Sequence, residues 1–169
     1  LVKVSQQLLQ DSAFDLNAFL VEAMGERIAR ATNAAFTTGT GSSQPQGIVT
    51  GSALGKTAAG ATAITADDLL DLIYSVDASY RNKPGFGLMA HDNIISAVRA
   101  LGLGSANDFP IFIPSMEMGQ PDRIFGVPVY VNNDMQSSIA TGTKTMVAAD
   151  FSKFVVRNAG GIQMLRLNE

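Results

Sequence analysis

Apolar residues fall in two rhythms along this chain, and the change from one to the other marks out its elements. Leu16, Phe19, Leu20, Ala23, Ile28, Ala31 and Ala35 recur mostly at spacings of three and four, which places them on one stripe of an α-helix. Glu22, Glu26, Arg27 and Arg30 fall mostly beside that stripe, and Glu26 with Arg30 makes a favourable i,i+4 pair. Asp11-Ser12 supplies a cap. A helix is therefore predicted from Ala13 to Phe36, roughly 35 Å long at ~1.5 Å per residue. An average helix is nearer ~11 residues, so this one reads as a spine. Ahead of it, Val2-Lys3-Val4 alternates like a short strand, and Ser5 caps a brief helix through Leu8, Leu9 and Gln10.

Beyond the spine, residues 39–60 are rich in Gly, Ser, Thr and Ala and read as loop, with one short strand around Gly47–Val49. Thr65-Ala66-Asp67-Asp68 starts a second helix, with Thr65 as cap and two acids where the helix dipole favours them. Its expected buried face is Leu69, Leu70, Ile73, Val76 and Tyr80, and Lys83-Pro84-Gly85 stops it. Phe86–Ala90 reads as a buried strand, and His91-Asp92 opens a helix with Ile94, Ile95, Val98 and Leu101 inward. Residues 104–119 look irregular, broken by Pro110 and Pro114. Strands are expected within Arg123–Val131, at Thr145–Ala149, at Phe154–Val156 and from Gly161 to Leu167. Helices and strands mix without a regular βαβ repeat, which predicts an α+β fold.

Composition narrows the field. At 169 residues the chain suits one domain or two small lobes. Charged residues make up 16% against 46% hydrophobic, well under the ~25% charge of an average protein, so much of the surface is expected to be covered by something else. A net charge of -3 gives no basic excess for gripping nucleic acid. Cysteine is absent, which removes disulfides and thiolate metal sites. No apolar run approaches the ~18 residues that span a membrane. The chain starts at Leu1, which reads as a fragment or a processed product.

Few segments carry the residue types that chemistry needs. Gly51-Ser52-Ala53-Leu54-Gly55-Lys56-Thr57 imitates a phosphate loop. That motif needs four residues between its glycines and a helix immediately after. Here three separate Gly51 from Gly55, and Ala58–Thr62 does not start a helix well. Gly39-Thr40-Gly41 reads as a helix C-cap with a flexible turn. His91 is the only histidine, which rules out a His-rich metal site, and beside Asp92 it reads as a capping pair. Asp67, Asp68 and Asp71 lack the calcium-loop pattern. Arg81, Lys83, Arg99, Arg123, Lys144, Lys153, Arg157 and Arg166 are scattered and not interleaved with aromatics. No catalytic, cofactor-binding or metal-binding residue is assigned, and the chain is not expected to be an enzyme.

Several segments together resemble one family. Val2–Ser12 resembles its strand-and-short-helix entry to a spine. Ala34-Ala35-Phe36-Thr37-Thr38-Gly39-Thr40-Gly41, followed by Gln44-Pro45-Gln46-Gly47-Ile48, is similar to its Phe-x-x-Gly-x-Gly and Pro-x-Gly-Ile exit. Phe125-Gly126-Val127-Pro128-Val129 with Asn133-Asp134-Met135, and Ala149-Asp150-Phe151-Ser152, match two later motifs, with Ala149 where the family has glycine. The family is the tailed-bacteriophage major capsid protein of the Hong Kong 97 fold. The resemblance implies a peripheral lobe with the spine helix and its following loop at residues 1–64, an axial lobe at 65–150, and strands returning to the peripheral lobe at 151–169. It further implies a structural subunit that assembles with itself into hexamers and pentamers of an icosahedral head. That head encloses double-stranded DNA without sequence-specific contact, with scaffold, portal and decoration proteins as further partners. The expected location is the virion capsid, assembled in the host cytoplasm. The family's N-terminal arm and extended loop would precede Val2, and its cross-linking residues have no counterpart here. A nanocompartment shell is the alternative on the same fold, and a nucleotide-binding enzyme using Gly51–Thr57 is the alternative of another class.

Overall fold

The spine is one uninterrupted helix, α1, over Leu16–Thr38. At ~1.5 Å per residue its 23 residues span about 34 Å. The computed structural model describes residues 15–101, 111–116 and 119–157, and these divide into two compact units between Ser52 and Ala53. The predicted strand at Val2–Val4, the helix from Ser5 and the strand from Gly161 lie outside the described residues.

In the first unit, Asp15 caps α1 by accepting the Ala18 N–H at 3.1 Å, so the start falls later than Asp11-Ser12 suggested. The Glu26–Arg30 pair forms as expected. Thr37 and Thr38 turn their hydroxyls back onto the Asn33 and Ala34 carbonyls, which occupies acceptors near the helix end. A short helical turn, α2 (Ile48–Gly51), packs against α1. Residues 48 and 49 are therefore helical and not the predicted strand. A run of two apolar β-branched residues is too short for its period to separate the two states.

The second unit holds a five-stranded sheet: β1 Phe86–Ala90, β2 Phe112–Ile113, β3 Arg123–Ile124, β4 Val127–Val131 and β5 Met146–Asp150, in the order β2-β3-β4-β1-β5. β1 lies parallel to β4 and antiparallel to β5, with Leu88 opposite Val129 and Ala148. Three helical segments accompany it: α3 (Ala66–Tyr74), α4 (Ala78–Arg81) and α5 (Asp92–Leu101). Leu69 and Ile73 of α3 and Ile94, Ile95 and Val98 of α5 join Phe86, Leu88 and Ala90 in one core. Removing each large apolar side chain of that cluster from water is worth about 1.5–3 kcal/mol, and this burial is the main force holding the sheet to its helices.

Three expectations change here. The helix opened by Thr65 stops at Tyr74, because Asp77 turns extended and caps a new turn by accepting the Ser79 N–H. Tyr80 is consequently exposed and not on the buried face. Phe112-Ile113, in the stretch read as irregular, pairs with β3. Phe154–Val156 forms no strand among the described residues: a 3-10 turn occupies Phe151–Lys153, and the apolar triplet after it is solvent-exposed, Val155 to 84%.

Candidate functional site

Four places concentrate the residues that the sequence singles out. The first is the exit of α1. The chain doubles back there through a bridge between Thr40 and Gln46, and the Gly47 N–H donates to the Gly39 carbonyl at 2.8 Å. A Cβ on Gly39 would collide with the Pro45 and Ala35 carbonyl oxygens, and one on Gly47 would lie 2.5 Å from both the Gly39 nitrogen and the Thr37 oxygen. Both glycines have ordinary negative φ, -54° and -73°. Gly39 is the C-cap of α1, as the sequence suggested, and both glycines are required because two backbone segments are pressed together there. The left-handed positions are Gly41 and Ser43 at the loop tip. Thr50 ties the returning chain to the helix by donating to the Thr38 carbonyl at 3.3 Å.

The second place is Lys56, in the phosphate-loop look-alike. Its ammonium donates to Asp71 on α3 and lies 4.0 Å from Asp68. The Asp71 hydrogen bond first, and the neighbouring carboxylates after it, hold the Lys56 pKa above its usual value. Residues 52–63 contain no helix, so the loop does not run straight into the helix N-terminus that a phosphate loop needs. An incoming phosphate would meet two carboxylates already facing the Lys56 ammonium. The arrangement pins the loop to α3.

The acids of α3 are used in the same way. Asp68 and Thr65 complete a capping box: the Asp68 N–H donates to the Thr65 hydroxyl at 3.2 Å, and the Asp68 carboxylate accepts the Thr65 N–H at 3.1 Å. The Thr65 hydroxyl, then the backbone N–H groups of Thr65 and Ala59, keep this buried carboxyl below the ordinary aspartate range. Among the described residues, no three His, Cys, Asp or Glu side chains gather as a metal site would require.

His91 and Asp150 mark opposite ends of β1. The His91 ring accepts the Asn93 N–H at 3.0 Å, and its carbonyl accepts from Ile94 and Ile95, so His91 itself is the cap and Asp92 opens the helix. At the other end Asp150 accepts from the Ser152 hydroxyl and N–H at 2.6 and 3.1 Å. That hydroxyl is the main reason its carboxyl is held below the ordinary range. Gly85 sits against this turn with no room for a Cβ beside Asp150 and Ser152. Tyr130 lies over Gly87 and meets Phe151 edge-on at 5.8 Å. The motifs Gly-Val-Pro-Val and Asp-Phe-Ser therefore meet on β1 as packing and turn devices.

A feature missed by the sequence reading lies on α3 and α4. The Arg81 guanidinium stacks 4.2 Å from the Tyr74 ring centroid, and the Lys83 ammonium lies 5.2 Å from that of Tyr80. The break at Ser75–Asp77 is what brings Arg81 back over Tyr74.

A long helix with exposed apolar side chains, a loop stitched by glycine contacts and a small mixed sheet whose polar groups cap turns define a structural building block. The Phage capsid family model matches residues 1–169, and this chain belongs to that family. Among solved structures, the capsid of a native GTA particle superposes with a TM-score of 0.71 at 28% identity, over 88% of this chain and 53% of that one. The capsid of an empty GTA particle superposes with a TM-score of 0.70 at 31% identity, over 87% and 53%. The chain thus spans about half the length of those capsid chains. The α+β architecture agrees with that of these capsid proteins. No curated protein sequence matches it.

Proposed function

We propose that this chain is the structural subunit of a capsid shell, one that assembles with itself into hexamers and pentamers of an icosahedral head around double-stranded DNA. The observation that carries this reading, beside family membership, is the surface of α1. Phe19, Val21 and Ile28 are exposed along a 23-residue helix, Phe19 to 57%, in a chain with only 16% charged residues. Apolar surface of that kind is normally covered by a partner. On this reading residues 1–64 belong to the peripheral lobe, residues 65–150 to the axial lobe, and residues 151–169 return to the periphery. Scaffold, portal and decoration proteins would be further partners. The protein would be assembled in the host cytoplasm and reside in the virion. It would do this as scaffolding material, without a catalytic residue or a bound cofactor. Electron microscopy of the full-length protein tests the proposal: shells or capsomers are expected, and their absence at every concentration and ionic strength tried would sink it.

A further inference from the structure

The two ends of strand β1 carry opposite charge. Before Phe86 come Arg81 and Lys83, and β5 delivers Lys153 to the same end, because Phe86 pairs with Asp150. Asp77 and Asp150 are the acids there, and both are engaged by their own turns, with Ser79 and Ser152. The end is net positive. After Ala90 come His91 and Asp92, and β4 delivers Asp134 to the same end, because Ala90 pairs with Val131. Lys144 is the cation there, ahead of the Met146 that also pairs with Ala90. Among the described residues two carboxylates face one ammonium there, and that end is net negative.

The positive end is also pre-shaped. Among the described residues Arg81 and Lys83 make no ion pair within 4 Å, and each lies on the ring of an exposed tyrosine, Tyr74 and Tyr80. A guanidinium held flat by a ring keeps its edge N–H donors free and loses little freedom when a planar carboxylate docks. Each ring already has one face taken by its cation, which leaves it less free to stack nucleobases. With Asp77 and Asp150 nearby the end is only weakly positive, too little for a track along a phosphate backbone. Carboxylates fit it better.

We infer that the Tyr74–Arg81 and Tyr80–Lys83 ladder receives the Asp92 end of a second copy of this chain. Cations and acids at opposite ends of one strand meet head to tail, which is a heterologous contact. Such contacts generate closed rings when the rotation between copies closes. The inference rests on the proposed shell-subunit reading and names the surface by which neighbours in a ring would meet.

Charge reversal with compensation tests it, in the full-length protein, by sedimentation velocity across a concentration series. Arg81→Glu and Asp92→Arg are each expected to raise the concentration needed for ring-sized species by about tenfold or more, the effect expected of breaking a close charge pair in an interface. The double variant should recover most of that loss. Lys83→Ala, a milder change, should show a smaller shift in the same direction, and circular dichroism of each variant checks that the fold is kept. Normal assembly of folded single variants, or a double variant that adds the two losses, overturns the contact and leaves the subunit reading standing. A wild-type protein that stays monomeric throughout overturns both. Binding to a double-stranded DNA oligonucleotide is measured beside it. If Arg81→Glu weakens DNA binding while assembly is unchanged, the occupant is phosphate and the inference fails.

Discussion

Replacing Gly47 by alanine isolates what holds the exit of α1. A Cβ there would stand 2.5 Å from the Gly39 nitrogen and the Thr37 oxygen. Both are backbone atoms, so reaching ordinary contact at 3.4 Å means moving one segment away from the other by about 0.9 Å. That movement stretches the Gly47 N–H to Gly39 carbonyl bond, now 2.8 Å, out of range. Overpacking of this kind costs about 1–3 kcal/mol, and the lost hydrogen bond about 1 kcal/mol. Restricting the unfolded chain returns about 0.4–1 kcal/mol, which leaves a net destabilisation of roughly 2–3 kcal/mol. The φ of -73° is ordinary, so no dihedral strain adds to it. Gly25 is the matched control: it lies inside α1 with nothing within 4 Å of a Cβ, and Gly25→Ala should stabilise the helix by about 1 kcal/mol. Amide hydrogen exchange is the right assay, because a chain with two units need not unfold in one step. Protection in the last two turns of α1 should fall in Gly47→Ala and rise in Gly25→Ala. Unchanged protection, within about 0.5 kcal/mol, in Gly47→Ala would refute the close-approach argument.

Two further outcomes test the second unit. Leu88 is fully buried, at 0% exposure, where helices and sheet meet, so Leu88→Ala should destabilise it by about 2–5 kcal/mol; a loss under about 1 kcal/mol in urea denaturation followed by circular dichroism would contradict the packing described. Asp68 and Asp150 are both held below the ordinary carboxyl range, chiefly by the Thr65 and Ser152 hydroxyls, whereas unfolded aspartate protonates near ~3.9. On acidification the unfolded state therefore takes up protons first, so this stability is complete above about pH 5 and is lost as pH falls through the folded values. The Asp68→Asn/Asp150→Asn double variant should show a shallower fall of Tm between about pH 5 and 2.5, and an unchanged slope would count against both carboxylates.

Local rhythm made most of the elements legible, and long-range pairing decided the rest. The stripe from Leu16 to Ala35 announced α1, and Thr65 with Asp68 announced α3, because both signals sit within a few residues. Val76 kept the helical period going toward Tyr80, but the Asp77 carboxyl found the Ser79 N–H and started a new turn. β2 is two residues long and exists only because β3 pairs with it, which no window of sequence contains. Phe154–Val156 had β-branched, apolar composition and no partner strand among the described residues. Spacing alone argued against a phosphate loop at Gly51–Thr57, yet it could not say where Lys56 would go. Its partner Asp71 is 15 positions away. The cation–aromatic ladder was hidden for the same reason: along one continuous helix, Tyr74 and Arg81 would stand about two turns apart.

Magnitudes also constrain how such subunits could join. Phe19, Val21 and Ile28 are each about half exposed, and completing the burial of three such side chains yields on the order of 3 kcal/mol. Association of two bodies forfeits an estimated 4–15 kcal/mol of translational and rotational freedom. The exposed apolar side chains of α1 therefore cannot hold two copies together alone, and neither can one charge-complementary contact at the ends of β1. Acting at once in a closed array they can, because each contact made after the first is intramolecular and escapes most of that cost. Weak faces on a low-charge subunit then give assembly that is reversible pair by pair and firm only when a ring closes. A reversal at Arg81 should accordingly act on ring-sized species far more than on dimers, and a variant that weakens both in equal proportion would show that the contact is not part of a closed array.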